Sequence, residues 1–98
     1  MREGYYQNYL IAQIKIRLPG CIVIKNDSSY QQGIPDLLIL WNDRWAALEV
    51  KTSLSAPVQR NQEYWIDHMN DMAYAAFIYP ENENEVLNDL EFTFAIRR

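Results

Sequence analysis

Apolar residues recur along this chain at two different periods, and the change of period divides the chain into helices and strands. Residues 3–18 carry an apolar residue at each helical turn and are followed by a Pro-Gly pair, so they predict a first helix. The short β-branched run 21–25 predicts a first strand. Within residues 33–51, two apolar runs flank an Asn-Asp-Arg segment, which predicts the two strands of a β-hairpin.

A second helix is expected after the hairpin. Ser55 or Ala56 is the expected N-cap, and Pro57 then occupies the first helical position, where its missing N–H is tolerated. Gln62 interrupts the apolar face of this helix where a leucine would be expected. A buried glutamine must be hydrogen-bonded, so Gln62 either ties a loop carbonyl or reaches polar groups on the hairpin, with Gln59 as the alternative. The apolar face itself consists of Val58, Trp65, Met69 and Met72.

The last third of the chain predicts one further strand and a C-terminal extension. Residues 72–79 are apolar enough for a buried strand, which Pro80 ends. Residues 81–88 predict a loop or a short helix, and the alternation over 91–96 predicts an edge strand. The expected fold is therefore α/β, in the order α-β-β-β-α-β with a short C-terminal extension. A helix between the third and fourth strands permits a parallel crossover, so the central sheet is expected to be mixed.

The hairpin is expected to oppose two acidic residues in an otherwise apolar setting. If Asn42 and Asp43 form a two-residue loop, Asp36 pairs with Glu49, and their Cβ atoms lie about 4.5–5.5 Å apart. Lys51, two residues beyond Glu49, projects to the same side. Opposed carboxylates repel each other, and a cation between them would relieve that repulsion. A three-residue turn would instead place the two carboxylates on opposite faces.

These side chains suit a hard metal ion and a phosphate substrate. Carboxylate oxygens are the ligands that Mg²⁺ or Mn²⁺ prefer, and a bound metal with open water positions suits hydrolysis of a phosphodiester. Lys51 could then stabilise the attacking hydroxide or the developing charge. Glu3 lies on the apolar face of the first helix, either as a residue that favours the helix dipole or as a further group of the site. No Cys/His set has the spacing of a zinc site.

Charge is distributed unevenly along the chain of 98 residues, whose formal net charge is −4. Residues 1–60 hold seven basic and five acidic residues, whereas residues 61–98 hold two basic and eight acidic ones. A phosphate backbone would therefore have to meet the N-terminal part. The length is that of one small domain, and neither a membrane span nor a signal peptide is expected. The single cysteine, Cys21, is compatible with a reducing cytosol, so a cytoplasmic location is expected.

The hairpin motif resembles the signature of the PD-(D/E)XK nuclease superfamily in two parts, Pro35-Asp36 and Glu49-Val50-Lys51. With Gly33 just before it and a glutamine on the next helix, the chain is similar to the VRR-NUC domain family. That family includes stand-alone phage nucleases and is related in fold to archaeal Holliday-junction resolvases. The resemblance covers about residues 3–80 and implies a restriction-endonuclease-like core within a single nuclease domain spanning residues 1–98.

The resemblance also implies a role for each residue of the motif. Asp36 and Glu49 would bind Mg²⁺ or Mn²⁺ together with the backbone carbonyl of Val50. Glu3 matches the carboxylate of the first helix that assists the metal in many members, and Lys51 matches the catalytic lysine. Gln62 matches the glutamine of the second helix, with Gln59 as its competitor. The implied catalytic set is Asp36, Glu49, Lys51 and Gln62, and the implied metal ligands are Asp36, Glu49, Val50 and Glu3.

The implied activity is a metal-dependent, structure-selective DNA endonuclease that acts on branched or junction DNA, with a Holliday junction resolvase as its most specific form. A restriction-like, nicking or flap nuclease is an alternative, and a catalytically idle nucleic-acid-binding module is an alternative of another class. Symmetric cleavage of a junction requires two active sites, which a homodimer provides. Ordinary core or edge-strand packing is the first explanation for any one apolar aromatic residue, and the candidates for such an interface are Trp41, Trp45, Phe92 and Phe94.

Overall fold

The computed structural model describes residues 1–27 and 29–95 of the chain. Three helices and four strands lie within these residues, in the order α-β-β-β-α-β-α, which confirms the expected α/β class. This order is compatible with a restriction-endonuclease-like core. The elements are α1 (Glu3–Arg17), β1 (Ile22–Lys25), β2 (Leu37–Trp41), β3 (Arg44–Val50), α2 (Arg60–Met72), β4 (Tyr74–Ile78) and α3 (Glu83–Ala95).

The four strands form one mixed sheet in the order β1-β2-β3-β4. β2 is antiparallel to both β1 and β3, and β4 runs parallel to β3 after the crossover through α2. Trp41 pairs with Arg44 and Leu37 pairs with Leu48, which confirms the register expected from a two-residue loop. Asn42 adopts φ 55°, the left-handed conformation that such tight hairpin loops require.

One face of the sheet carries the main core, because α1 and α3 both pack against it. Side chains alternate between faces along each strand, so Leu37 and Ile39 of β2 point to this face together with Leu48 and Val50 of β3. These residues are fully buried. The helices complete the cluster with Tyr6, Leu10, Ile14, Val86, Leu87, Leu90 and Phe94.

The opposite face is covered by α2 over β3 and β4. Ile66 packs there against Ala47 and Ala75, and Trp45, Met69 and Phe77 contact this smaller cluster. The expected apolar face of the second helix was therefore only partly right. Val58 lies outside the helix, and Met72 at its end is 65% exposed.

The expected start of the second helix was wrong, because α2 begins at Arg60 with Gln59 as its N-cap. Pro57 does not occupy the first helical position. Its carbonyl oxygen instead accepts a hydrogen bond from Lys51 Nζ at 3.0 Å. This hydrogen bond holds the loop against the end of β3, and α2 begins three residues after Pro57.

The expected edge strand over residues 91–96 was also wrong. Residues 91–95 continue α3, and Ile96 lies outside the described residues. Leu87, Leu90 and Phe94 are buried at helical spacing, so the alternation of Phe92 and Phe94 was misleading. Residues 81–88, for which a loop or a short helix was expected, contain the first turns of α3, which begins at Glu83. The strand predicted over residues 72–79 is observed as β4.

Three of the four aromatic candidates for a dimer interface are at least partly buried within the described chain. Phe94 is 3% exposed, and the ring of Trp41 stacks on it with a centroid distance of 6.1 Å. Trp45 packs against the cluster beneath α2. Phe92 is 70% exposed and is the member of the set that remains available to a partner. No helix formed by residues 1–27 and 29–95 is long and apolar enough to cross a membrane.

Gly33 allows the loop before β2 to pass close to the first turn of α2. Its φ is +86°, and a Cβ atom at this position would lie 2.6 Å from Cγ of Asn61. We expect Gly33→Ala to lower the free energy of unfolding by about 1–2 kcal/mol through the left-handed backbone alone. Displacement of Asn61 adds to this loss, and chemical denaturation measures the sum.

Gly4→Ala is the matched control for this substitution, because a Cβ at Gly4 would have no atom within 4 Å. Gly4 lies in α1, where alanine is the better helix former by about 1 kcal/mol. The control should therefore be as stable as the parent or more stable. A Gly33→Ala protein as stable as its parent would show that the loop tolerates a side chain at this position.

Candidate functional site

The open end of the hairpin brings Asp36 and Glu49 together. Asp36 directly precedes β2, and its Oδ2 accepts a hydrogen bond from the backbone N–H of Val50 at 2.9 Å. Glu49 lies in β3 and is only 4% exposed. Because Leu37 pairs with Leu48, the next positions outward place the two carboxyl groups beside each other, as the sequence predicted.

Lys51 supplies the positive charge at this end of the sheet. Its Nζ lies 3.9 Å from Glu49 Oε2 and donates hydrogen bonds to Gln62 Oε1 at 2.7 Å and to the carbonyl oxygen of Pro57 at 3.0 Å. The Lys51 side chain is only 13% exposed. Three contacts therefore hold the ammonium group in one position beside the carboxylates.

Gln62 connects the helix to the hairpin. Its Nε2 donates a hydrogen bond to Glu49 Oε2 at 3.0 Å, while its Oε1 accepts from Lys51 Nζ and from the backbone N–H of Gln59. Among the two glutamines that the sequence left open, Gln62 is the one that contacts the carboxylate and the lysine. Gln59 contributes a backbone N–H as the N-cap of α2.

The electrostatics of Glu49 reveal an excess of negative charge. Burial raises the pKa of Glu49 first, and the neighbouring Asp36 raises it further. The ammonium of Lys51 lowers the pKa but does not compensate, and the result is a pKa of about 8. When both carboxyl groups are ionised, the single positive charge of Lys51 therefore does not balance their negative charge.

Glu3 lies at the rim of the site rather than at its centre. It is exposed at the first position of α1, and its Oε2 accepts a hydrogen bond from Gln7 Nε2 at 3.1 Å. Partial burial raises the pKa of Glu3, and the charge of Asp36 raises it further, whereas Lys51 and Gln7 lower it. The charges of Asp36 and Lys51 therefore act on the carboxyl group of Glu3.

The available donor atoms fit a hard divalent cation. Asp36 and Glu49 offer carboxylate oxygens, and Val50 between Glu49 and Lys51 offers a main-chain carbonyl. Mg²⁺ is commonly held by one or two carboxylates and keeps several waters, so this small set is sufficient. Within residues 1–27 and 29–95, no group of three or more His, Cys, Asp or Glu side chains is arranged to hold a metal ion. The assignment of Glu3 as a further metal ligand therefore stays a prediction from the resemblance.

A polar cavity of about 480 Å³ adjoins the site and was missed by sequence reasoning. Its lining combines the loop before β2 with the N-terminal part of α2, in residues Ser29, Gln32, Gly33, Gln59 and Gln62. Two glutamines in a polar loop that leads to the motif were the available signal. The two glutamines did not predict a cavity, because the cavity can be located only when the residue at which α2 begins is known.

The chain has no significant match among protein-family models, curated proteins or solved structures. The resemblance to the PD-(D/E)XK superfamily and the VRR-NUC family therefore stays a prediction. It rests on the short motif and on the placement of the residues that the motif names.

Proposed function

We propose that this protein is a metal-dependent endonuclease of the PD-(D/E)XK type, which hydrolyses phosphodiester bonds in branched DNA. The observation that supports this most directly is the meeting of four side chains of the required chemistry at one end of a buried hairpin. These side chains are Asp36, Glu49, Lys51 and Gln62.

The alternative role of these residues is purely structural, as an ion-pair network that joins α2 to the sheet. In such a network, one carboxylate would balance the positive charge of Lys51 better than two would. Glu49 is instead a nearly buried acid beside a second acid, and its pKa is raised although Lys51 is close. In its ionised form such a buried acid lowers stability unless it is paired or coordinates a metal, and without a cation it keeps its proton up to a pH of about 8. A site that binds Mg²⁺ or Mn²⁺ explains why both carboxylates are present.

In this proposal each protein group has a separate role in catalysis. Asp36 and Glu49, with the carbonyl of Val50, would hold the cation. The bound cation would polarise a phosphate oxygen and lower the pKa of a bound water. Lys51 stabilises the negative charge that develops on the phosphate. Gln62 orients both Lys51 and Glu49, because its amide binds each of them.

Branched DNA is the proposed substrate and a homodimer the proposed assembly, because paired cuts in a junction require two such sites. The exposed Phe92 is the interface candidate that the fold leaves available. The proposed location is the cytoplasm of a bacterial or phage-infected cell, because the resemblance is to a family that includes stand-alone phage nucleases. An idle nucleic-acid-binding module is the second candidate, since no buried side-chain polar atom of the described residues is without a hydrogen-bond partner even without a metal.

Cleavage of a panel of labelled DNAs at one salt concentration tests the proposal. Junction, flap, nicked and plain duplex DNA would each be incubated with Mg²⁺, Mn²⁺ or EDTA. We expect cleavage of branched DNA with either metal and none with EDTA. Binding without cleavage under all conditions would contradict the nuclease and support the idle module.

Replacing Lys51 with alanine should lower the cleavage rate by about 10²–10³-fold, the loss typical for one group that stabilises developing charge. Metal binding should persist, because both carboxylates remain. Gln62 Oε1 keeps the N–H of Gln59 as a donor, so the helix stays in place. Lys15→Ala, at an exposed position of α1, is the control for loss of a lysine. Calorimetry that showed lost Mn²⁺ binding in a folded Lys51→Ala protein would refute this role.

A further inference from the structure

Two cavities adjoin beside the candidate site and extend from it along the start of α2. The first is the polar cavity of about 480 Å³, and Gln62 in its lining is bonded to both Lys51 and Glu49. The second, of about 590 Å³, is lined by Gln59, Arg60, Asn61 and Tyr64. Gln59 lines both, so the two cavities are neighbours. We name them together the amide groove, with the lining Ser29, Gln32, Gly33, Gln59, Gln62, Arg60, Asn61 and Tyr64.

The amide groove differs from its surroundings in charge. Among its described lining residues there is no aspartate or glutamate, although the chain has 13 acidic and 9 basic residues. Glu63 and Asp67 of the same helix line neither cavity. Two other surface cavities do contain an acid, Glu83 beside α1 and Asp43 at the hairpin turn. An anionic chain in the amide groove therefore meets neutral amides, the cation of Arg60 and a largely apolar surface beside Tyr64, and no carboxylate of the described lining.

Tyr64 lies at the far end of the groove, and neighbouring side chains contact its aromatic ring. The residue is 58% exposed. His68, one turn later, stacks on it at a centroid distance of 5.6 Å and an angle of 12°, and Trp65 contacts it edge-on at 5.5 Å. Arg60 lies one turn earlier and lines the cavity with it. A planar group that enters the cavity would meet a ring already held in place.

We propose that the amide groove binds an unpaired strand of DNA that continues from the cleavage site. An unpaired base stacks on Tyr64, Arg60 binds a phosphate, and the amides of Gln32 and Gln59 contact the sugar and base edges. Stacking needs an unpaired base, because both faces of a base in a duplex are covered by its neighbours. This inference rests on the proposed nuclease function. Among the branched substrates proposed above, it selects those with a single-stranded arm or flap over a four-way junction, whose arms are fully paired and for which the homodimer is proposed.

Binding of a fluorescently labelled single-stranded oligonucleotide in EDTA tests the groove without requiring cleavage. Tyr64→Ala should weaken binding about tenfold or more, and Tyr64→Phe should restore it. Arg60→Ala should weaken binding and reduce the slope of log affinity against log salt by about 0.7. Tyr5→Ala and Lys15→Ala, at exposed positions of α1, should bind like the parent. Circular dichroism confirms that each variant is folded.

The outcomes distinguish failure of the proposal that the amide groove binds an unpaired strand from failure of the proposed nuclease function. The groove is refuted if the parent does not bind the oligonucleotide, or if Tyr64→Ala and Arg60→Ala bind it as the parent does. Metal-dependent cleavage could still be observed in that case, and the proposed function would stand. Conversely, binding that depends on Tyr64 and Arg60, in a protein that cleaves no DNA with Mn²⁺, would support the groove and contradict the nuclease.

Discussion

Replacement of Asp36 with asparagine is expected to abolish metal-dependent cleavage of DNA while the fold remains intact. The substitution removes one of the two central carboxylates but keeps an oxygen that can accept the N–H of Val50. Alanine would be a poorer choice at this position. It would leave the N–H of the fully buried Val50 without its partner, at a cost of about 1–3 kcal/mol.

The expected loss of cleavage rate is at least about 10²–10³-fold, the loss typical when one stabilising group is removed from an active site. Asp71→Asn makes the same chemical change at an exposed position near the end of α2 and should cleave as the parent does. The rate is measured under single-turnover conditions with Mg²⁺ and with Mn²⁺. Parental cleavage by a folded Asp36→Asn protein would exclude Asp36 from the mechanism.

The metal-free protein is expected to lose stability as the pH rises from about 4.5 to about 8, because of Glu49. Burial, reinforced by Asp36, raises the pKa of this carboxyl from 4.5 to about 8 in the folded chain. Between these two pH values the folded protein holds a proton that the unfolded chain has released. The free energy of unfolding therefore falls with rising pH across this window. Below it both states are protonated at Glu49, and above it both are ionised, so this contribution no longer changes.

Glu49→Gln should remove this pH dependence and raise the stability of the metal-free protein at pH 8. Glutamine is neutral at every pH and keeps an oxygen for Gln62 Nε2. Glu85→Gln, at an exposed position of α3, is the matched control and should retain the parental slope. Thermal unfolding in EDTA across the pH range measures both. Equal pH slopes for the parent and Glu49→Gln would contradict the assigned cause.

Divalent metal should reverse the loss of stability in the parent at pH 8. A ligand at 100 times its dissociation constant stabilises the folded state by about 2.7 kcal/mol. For a domain of this size, that corresponds to a rise of roughly 10 °C or more in Tm. Glu49→Gln should gain much less from the same metal concentration, because one carboxylate ligand is absent.

The centre of the site could be predicted from the sequence because it depends on local geometry. A two-residue loop at Asn42 and Asp43 fixes the register, and the alternation of side chains then determines which residues share a face. Asp36, Glu49 and Lys51 follow from these two rules. Gln62 could be singled out because a polar residue on an apolar helical face requires a polar partner, but the sequence left Gln59 as its competitor, and the contact with Glu49 separates the two.

The remaining features depend on tertiary contacts that the local pattern of residues does not encode. Pro57 has the chemistry of a first helical residue, yet its carbonyl binds Lys51 and α2 begins later. The alternation around Phe92 and Phe94 is typical of a strand, but Leu87, Leu90 and Phe94 also form a helical face that packs beside α1. The amide groove was hidden for the same reason, since it requires the actual start of α2 and the close approach of Gly33.

Calorimetric titration of Mn²⁺ into the protein at pH 8 tests most directly whether Asp36 and Glu49 form a metal site. We expect saturable binding to the parent and to Asp71→Asn, and binding weakened at least about tenfold in both Asp36→Asn and Glu49→Gln. Absence of binding to the parent, or equal affinity in the parent and both site variants, would contradict the proposed metal site and the nuclease mechanism that depends on it.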